Sequence, residues 1–338
     1  MAQSTKMPVR RSLLPYMAEY EEKFADDGDV RWLPYLMYFH PREHRSPVVN
    51  TDGYGFRYAY AGDRRISAGD LAGADRVRVL AGSSTVFGIG AGRDEATLAS
   101  RLNAYDERGG PWLNFGGRSF NSTQEFQLYA LYSHLLPRVE EIVLFSGFNN
   151  LGLARLPETV RGDHGAFFMC NQFFDALGAT SARGRRRTRR REDDAPTPLE
   201  VQLDYAVDLT GRHLRLWKAL ADQGGSRLTY VLQPLANWVR SEPCPQESEV
   251  FAELDTFGDF GAAYGDILTP EVQKEYAARV GQEAARLGVP FIDLTPALAS
   301  WIAPDDWIFV DRIHFTDHGH DVVARNLLPL LTERPEAQ

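Results

Sequence analysis

Cysteine and long apolar runs are both scarce in this sequence of 338 residues. The cysteines are Cys170 and Cys244, too few for a disulfide scaffold or for a zinc site built on thiolates. No stretch reaches the ~18 apolar residues that a membrane-spanning helix requires. Acidic residues follow the start of the chain too soon to leave room for the apolar part of a signal peptide. We therefore expect a soluble, cytoplasmic protein without a membrane span.

Positive charge is in deficit as well. The sequence has 37 basic and 46 acidic residues, which gives a formal net charge of −9. This balance argues against a surface that binds nucleic acid or anionic lipid throughout, so we expect no nucleic-acid partner. Seven arginines nonetheless fall within residues 183–191. Because like charges repel one another, this run predicts a solvated loop rather than an anion-binding surface.

From residue 76 onwards, strand and helix signals alternate regularly. The predicted strands span residues 76–82, 111–116, 140–147, 227–234 and 289–294. The predicted helices span residues 94–107, 121–137, 199–223, 270–287 and 317–332. This alternation is typical of βαβ units and a mainly parallel sheet. In such sheets the reactive groups are expected just beyond the carboxyl ends of the strands.

The remaining length forms an N-terminal extension and two insertions. Residues 1–75 begin with a predicted amphipathic helix over 11–26 and continue through an aromatic-rich segment. We expect this extension to pack on one α/β domain of residues 76–338. Aromatic-rich stretches at about 155–198 and 236–268 interrupt that domain. Loops of this length are either functional lids or disordered segments.

Three strand ends carry small polar residues that fit acyl-transfer chemistry. The first strand ends in GSS at residues 82–84, where a serine on a tight turn would present its hydroxyl above the sheet. The second ends in NFGG at residues 114–117, where a glycine N–H can face a developing oxyanion. The third ends in SGFNN at residues 146–150, where an asparagine amide is a second candidate donor. Each segment also fits an ordinary turn, so none of them decides the function alone.

A fourth cluster near the end of the sequence contains Asp311 and His314. Histidine is the natural general base near neutral pH, and a carboxylate three residues earlier can hold its ring in the required tautomer. Further potential metal ligands follow at Asp317, His318, His320 and Asp321. The last helix would spread these side chains around its surface, and the sequence has no H-E-x-x-H pattern. We expect no metal and no cofactor.

Taken in order, these four pieces resemble the four sequence blocks of the SGNH (GDSL-type) hydrolase superfamily, over roughly residues 76–332. The first block, G-D-S-x-x-x-G, places the family's nucleophile on Ser84. The second-block glycine falls on Gly116, and the third block, G-x-N-D, places the oxyanion asparagine on Asn149. The final D-x-x-H block makes Asp311 the orienting acid and His314 the base.

This resemblance implies a three-layer α/β/α fold with a mainly parallel sheet of flavodoxin-like strand order. It also implies an oxyanion hole formed by the N–H groups of Ser84 and Gly116 and by the Asn149 amide. Two positions depart from the family pattern, since Ser83 and Asn150 stand where the blocks have aspartate. The departures indicate a divergent branch and affect the choice of substrate more than the chemistry.

The function implied is that of a serine hydrolase, which cleaves an ester or acyl group of a small-molecule or acylated substrate through an acyl-serine intermediate. One alternative is an acyltransferase that uses the same residues, with an alcohol or amine in place of water. Another is a non-catalytic binding or regulatory module that retains the fold. In the first insertion, Phe168 and Phe173 are candidates for substrate contact, although core packing of an inserted helix explains them as well.

Overall fold

The computed structural model explains how the sequence places these segments in space. It describes residues 8–24, 29–106, 108–156, 158–168, 197–258 and 260–332. Phe173 and the arginine run at 183–191 lie outside the described residues.

The N-terminal extension consists of two short helices and two small antiparallel hairpins. These elements are α1 (Val9–Leu13), α2 (Met17–Lys23), β1 (Arg31–Leu33), β2 (Met37–Phe39), β3 (Ala59–Ala61) and β4 (Arg64–Ile66). The predicted single helix over 11–26 is therefore wrong, because the chain breaks between α1 and α2. Pro15 explains the break: a residue before proline is disfavoured in helical geometry, and Leu14 has φ −134° and ψ 66°.

A five-stranded sheet forms the centre of the molecule. Its strands are β5 (Arg76–Gly82), β6 (Trp112–Gly116), β7 (Arg138–Ser146), β8 (Arg227–Leu232) and β9 (Phe291–Asp293). All neighbouring pairs are parallel, and the order across the sheet is β6-β5-β7-β8-β9. The interior of β5, β6 and β8 is buried without alternation, as expected for a sheet covered on both faces.

Helices connect and cover these strands. They are α3 (Ser84–Phe87), α4 (Leu98–Tyr105), α5 (Ser122–Tyr132), α6 (Phe148–Ala154), α7 (Glu158–Arg161), α8 (Leu199–Gly224), α9 (Ala236–Val239), α10 (Pro245–Phe257), α11 (Phe260–Tyr264), α12 (Pro270–Arg286), α13 (Leu294–Trp301) and α14 (Asp317–Thr332). α8 packs with α5, α6 and α12, whereas α4 packs with α14. The predicted three-layer α/β/α fold with flavodoxin-like strand order is confirmed.

The second insertion is more regular than its composition predicts, since the described residues of 236–268 include the helices α9, α10 and α11 and a 3₁₀ turn at Gly265–Ile267. Pro245 occupies the first turn of α10, where a missing N–H costs nothing. The Glu247 carboxylate accepts a hydrogen bond from the Cys244 N–H, which completes a capping box. Within the described ranges, no helix is long and apolar enough to cross a membrane.

The extension shares its packing with the sheet. Tyr38, Phe39 and Phe56 belong to the same buried apolar cluster as the strand residues Val79 and Phe145. Full burial of one such side chain stabilises a fold by about 1.5–3 kcal/mol. The extension therefore contributes directly to the stability of the sheet whose strand ends carry the candidate site.

Candidate active site

The first strand end presents Ser84 at the start of α3, directly after β5. The turn is tight, because a Cβ atom on Gly82 would meet the Phe145 carbonyl oxygen at 2.3 Å. α3 ends at Gly88, whose φ of +94° lies in the region that glycine tolerates without strain. Ser84 is 9% exposed to solvent, so it lies at the edge of the core.

Ser84, His314 and Asp311 form a continuous hydrogen-bonded chain, called the relay below. The Ser84 Oγ lies 2.7 Å from His314 Nε2, and His314 Nδ1 lies 2.8 Å from Asp311 Oδ2. Because the carboxylate can only accept, Nδ1 carries the proton and leaves Nε2 as the acceptor for the serine hydroxyl. The relay brings together residues that are 230 positions apart in the sequence.

Asp311 is held as a carboxylate by several donors. Its Oδ1 accepts hydrogen bonds from the backbone N–H groups of Ile313 and His314, both at 2.8 Å. Burial raises the pKa of Asp311, but His314, Arg10 and the Ile313 N–H together lower that pKa to about 2. The relay therefore contains an ionised acid at neutral pH, as an orienting group for an imidazole requires.

Of the other candidate metal ligands near His314, the Asp317, His318 and Asp321 side chains have polar partners outside the relay, whereas the ring nitrogens of His320 make no hydrogen bond within the described residues. Asp317 accepts a hydrogen bond from the Gly92 N–H, and His318 Nε2 lies 3.5 Å from Asp306. Asp321 pairs with Arg325 on the same helix. His320 is fully buried, and burial lowers its pKa to about 3. These side chains have structural contacts of their own and do not join the relay.

The second strand end differs from the expectation for Gly116. The N–H of Gly116 donates to the Asn114 Oδ1 at 2.9 Å, so this donor is already occupied. A Cβ atom at Gly116 would meet the Phe87 nitrogen at 2.0 Å. The absent side chain thus allows β6 to approach the backbone of α3. Gly116 supports the helix that begins with Ser84, and its N–H is not available to an oxyanion in this arrangement.

Three residues further on, Ser119 presents a different backbone donor. It is half-buried and has a φ of +58°, an uncommon conformation for a residue other than glycine. Its carbonyl oxygen accepts a hydrogen bond from the Tyr38 hydroxyl at 2.9 Å. Its N–H makes no hydrogen bond within the described part of the chain. The sequence does not predict this backbone donor, because serine has no particular preference for a positive φ.

The third strand end places Asn149 in the first turn of α6. One N–H of its amide donates to the Phe120 carbonyl oxygen at 2.6 Å, which ties the amide to the loop that contains Ser119. The side chain is 8% exposed, like that of Ser84. Its second N–H has no partner among the described residues.

The two departures from the family blocks have distinct environments. Ser83 is the N-cap residue of α3, and its side chain makes no capping hydrogen bond. Asn150 is buried; its Oδ1 accepts from the Ser122 N–H, and its amide donates to the hydroxyls of Ser122 and Thr210. Asn150 therefore joins α6 to the start of α5 and to α8. An aspartate at this position could accept the hydrogen bond from the Ser122 N–H, but an ionised carboxylate has no hydrogen to donate to the two hydroxyls.

A second buried carboxyl group lies behind the third strand end. The Glu125 side chain on α5 is fully buried, and its Oε1 accepts a hydrogen bond from the Ser146 hydroxyl at 2.9 Å. Burial raises the pKa of Glu125 to about 8, and the Ser146 contact opposes this only in part. Glu125 is therefore mainly neutral at pH 7.

The extension also holds the far end of the Ser84 helix. Arg57 is fully buried, and its guanidinium donates to the Gly88 carbonyl oxygen at 2.9 Å and to Asp94 at 2.7 Å. A cation at the end of a helix neutralises the partial negative charge of its last carbonyl groups.

The aromatic candidates of the first insertion lie only partly within the described residues. Phe168 is half-buried. Its neighbour Phe167 packs on the core, with its ring centroid 6.5 Å from that of Tyr38. Substrate contact by Phe168 stays a prediction.

Comparisons with known proteins address the fold. No protein-family model matches the sequence, and no curated protein matches it either. Among solved structures, a lipolytic protein of the G-D-S-L family from Veillonella parvula is similar, with 12% identity and a TM-score of 0.45 over 77% of this chain and 100% of that one. A lipase/acylhydrolase from Enterococcus faecalis shows 12% identity and a TM-score of 0.42, over 78% and 100% of the two chains.

An extracellular lipase from Streptomyces rimosus is also similar, with 14% identity and a TM-score of 0.40 over 78% of this chain and 100% of that chain. The solved structures that are similar to this chain thus include GDSL-type lipases and acylhydrolases, all at low sequence identity. At this identity the likeness concerns the fold and assigns no activity or residue role to this protein.

Proposed function

We propose that this protein is a serine hydrolase that cleaves an ester or acyl group through an acyl-Ser84 intermediate. The observation that carries the proposal is the relay, in which Ser84, His314 and Asp311 are joined at 2.7 and 2.8 Å. Hydroxyl, imidazole and carboxylate in this order are the groups that nucleophilic acyl transfer requires. Small-molecule or acylated substrates fit this chemistry.

In the first half of the reaction, the Ser84 Oγ bonds to the acyl carbon while its proton passes to His314 Nε2. The bond to the leaving oxygen then breaks, and that oxygen takes the proton from His314. In the second half, a water molecule gives a proton to His314 and its oxygen bonds to the acyl carbon. The bond to Ser84 breaks, and the proton returns to Oγ, so the enzyme is regenerated.

The negative oxygen of both tetrahedral intermediates needs fixed donors. We assign this role to the Ser84 N–H, the Asn149 amide and the Ser119 N–H. Ser119 replaces Gly116 in this assignment because the Gly116 N–H is bonded to Asn114. The link from Asn149 to the Phe120 carbonyl supports the pairing of the two donors, since it joins the amide to the Ser119 loop.

The test is covalent labelling with a fluorophosphonate probe, followed by mass spectrometry of the labelled peptide. Wild type should react at Ser84, and Ser84→Ala should not react. Ser83→Ala is the matched control, because it removes the adjacent hydroxyl and leaves the relay intact. Equal labelling of wild type and Ser84→Ala would overturn the assignment of the nucleophile.

Turnover should be measured in parallel on short-chain acyl esters and thioesters, since labelling alone does not identify a product. We expect release of the free acid with wild type and with Ser83→Ala, and none above background with Ser84→Ala. A correctly folded wild type that neither labels nor turns over any member of the series would contradict the proposal and favour a binding module.

A further inference from the structure

The first helix of the extension lies on the acidic end of the relay. The N–H groups of Val9 and Arg10 donate to the two carboxylate oxygens of Glu253, each at 2.7 Å. The first N–H groups of a helix have no partner within the helix, so the Glu253 carboxylate satisfies donors that would otherwise require water. This contact attaches α1 to α10 beside the loop that carries Asp311.

The Arg10 side chain continues from this contact towards the relay. Its guanidinium is 13% exposed and lies 3.9 Å from Asp311 Oδ2, the same oxygen that accepts from His314 Nδ1. On its other side it donates to Glu21 Oε1 at 3.1 Å. Its Nε is buried and makes no hydrogen bond within the described residues. A cation held here interacts with the Asp311 charge in a medium less polar than water, where the Coulomb energy at a given separation is larger than in water.

We propose that Arg10 is a positioning residue of the relay, which sets the acidity range in which Ser84 reacts by sharing the Asp311 carboxylate with His314. This inference rests on the proposed function. The imidazolium that forms when His314 takes the serine proton is stabilised by the Asp311 charge. Arg10 reduces the share of that charge available to the imidazolium. The N-terminal extension thereby becomes part of the active site.

The ion pairs of the relay carboxylate are formed with groups from its own loop and from α1. His314, on the same loop, and Arg10, on α1, both face the Asp311 carboxylate. The next residue, Arg312, turns away and pairs with Asp255 on α10 at 2.6 Å. The groups that face Arg10 are Glu21, Glu253 and Tyr16. Burial and the charge of Asp317 raise the pKa of the Tyr16 hydroxyl, so this hydroxyl is neutral.

The test replaces Arg10 by methionine, which keeps the length of the side chain and removes its charge. The rate of fluorophosphonate labelling is measured from pH 4 to 9. Loss of the cation favours the protonated imidazole, so the acid limb of the profile should move about half a unit to higher pH. Arg11→Met is the matched control: Arg11 lies on the same helix, is half exposed, and faces Glu21 and Glu22. Its profile should coincide with that of wild type.

A second measurement separates this inference from the proposed function. Carboxyl carbon NMR follows the ionisation of Asp311 without any turnover, and the pKa of Asp311 should rise in Arg10→Met relative to wild type and Arg11→Met. Glu253→Gln should cause a smaller rise, because it loosens α1 without removing the cation. An unchanged Asp311 titration in Arg10→Met with intact circular dichroism overturns the inference. If the pKa of Asp311 rises in Arg10→Met as expected but the wild-type protein never reacts with the fluorophosphonate probe, the proposed function is overturned instead.

Discussion

The two halves of the candidate site each contain a carboxyl group, and the surroundings of the two groups shift their pKa values in opposite directions. Asp311 lies on the relay side and has a pKa lowered to about 2. Glu125 lies behind the oxyanion side and has a pKa raised to about 8. Burial raises the pKa of both groups, so burial alone does not explain why the two pKa values move in opposite directions.

Donors account for the difference. Asp311 accepts from two backbone N–H groups and an imidazole and faces a guanidinium, all of which favour the charged form. Glu125 accepts from one hydroxyl, which cannot offset the loss of solvation. The relay side therefore concentrates fixed negative charge next to His314. On the side of the proposed oxyanion donors, Glu125 is mainly neutral at pH 7 and adds little negative charge.

The largest expected effect comes from removing the relay charge. In Asp311→Asn the side chain can still accept from the Ile313 and His314 N–H groups, so the fold should persist. The imidazole loses the partner that fixes its tautomer, and kcat should fall by about 10⁴-fold. Steady-state kinetics on a reactive ester measure this. Asp317→Asn removes a nearby carboxylate outside the relay and should retain nearly full activity; a similar fall in both variants would contradict a special role for Asp311.

The next largest effect tests the donor side. Asn149→Ala removes the amide that we assign to the oxyanion hole, and kcat should fall by about 10²–10³-fold with little change in KM if the assignment is right. The surface variant Asn237→Ala on α9 controls for loss of an amide without loss of a donor. A rise in KM at constant kcat would show that Asn149 binds the ground state instead.

A smaller effect distinguishes the backbone donors of Ser119 and Gly116. Lactic acid at position 119 replaces the N–H by an ester oxygen and is compared with Ser119→Ala, which keeps the N–H. Loss of one donor to a charged group should reduce kcat by about 10–100-fold. Glycolic acid at position 116 should instead lower the free energy of unfolding by about 1 kcal/mol, since only the bond to Asn114 is lost. The reverse outcome would restore Gly116 to the oxyanion hole.

The alternation of strands and helices and the parallel sheet were accessible from the sequence, because apolar runs and helical periodicity report burial. The Asp311–His314 pair was accessible from the chemistry of its side chains, whereas the strand order and the choice of Ser84 over Ser83 came from the resemblance to the SGNH sequence blocks. The apolar spacing of residues 11–26 predicts one helix, but Pro15 restricts the backbone of Leu14 and ends α1 there.

Backbone donors were less accessible. Whether an N–H is free depends on φ, ψ and neighbouring acceptors, which a motif does not encode. Asn114 occupies the Gly116 donor, and Ser119 adopts a positive φ that serine does not signal. Arg10 was missed for a related reason, because its contact with Asp311 spans 301 positions and depends on how α1 packs on α10.

The smallest effect on turnover, and the sharpest contrast with Asp311, is expected from Glu125→Gln. In the unfolded chain Glu125 ionises near pH 4.5, whereas in the fold its pKa is about 8. Folding therefore takes up a proton between these values, and the stability due to this group falls as pH rises through that range. Glutamine cannot ionise, so Glu125→Gln should match wild type at pH 5 and exceed it at pH 9 by a few kcal/mol, on the order of the pKa difference. Urea unfolding at both pH values measures this, with the exposed Glu95→Gln as control. If Glu125→Gln gains nothing at pH 9, Glu125 is ionised in the fold, and negative charge lies behind both halves of the site.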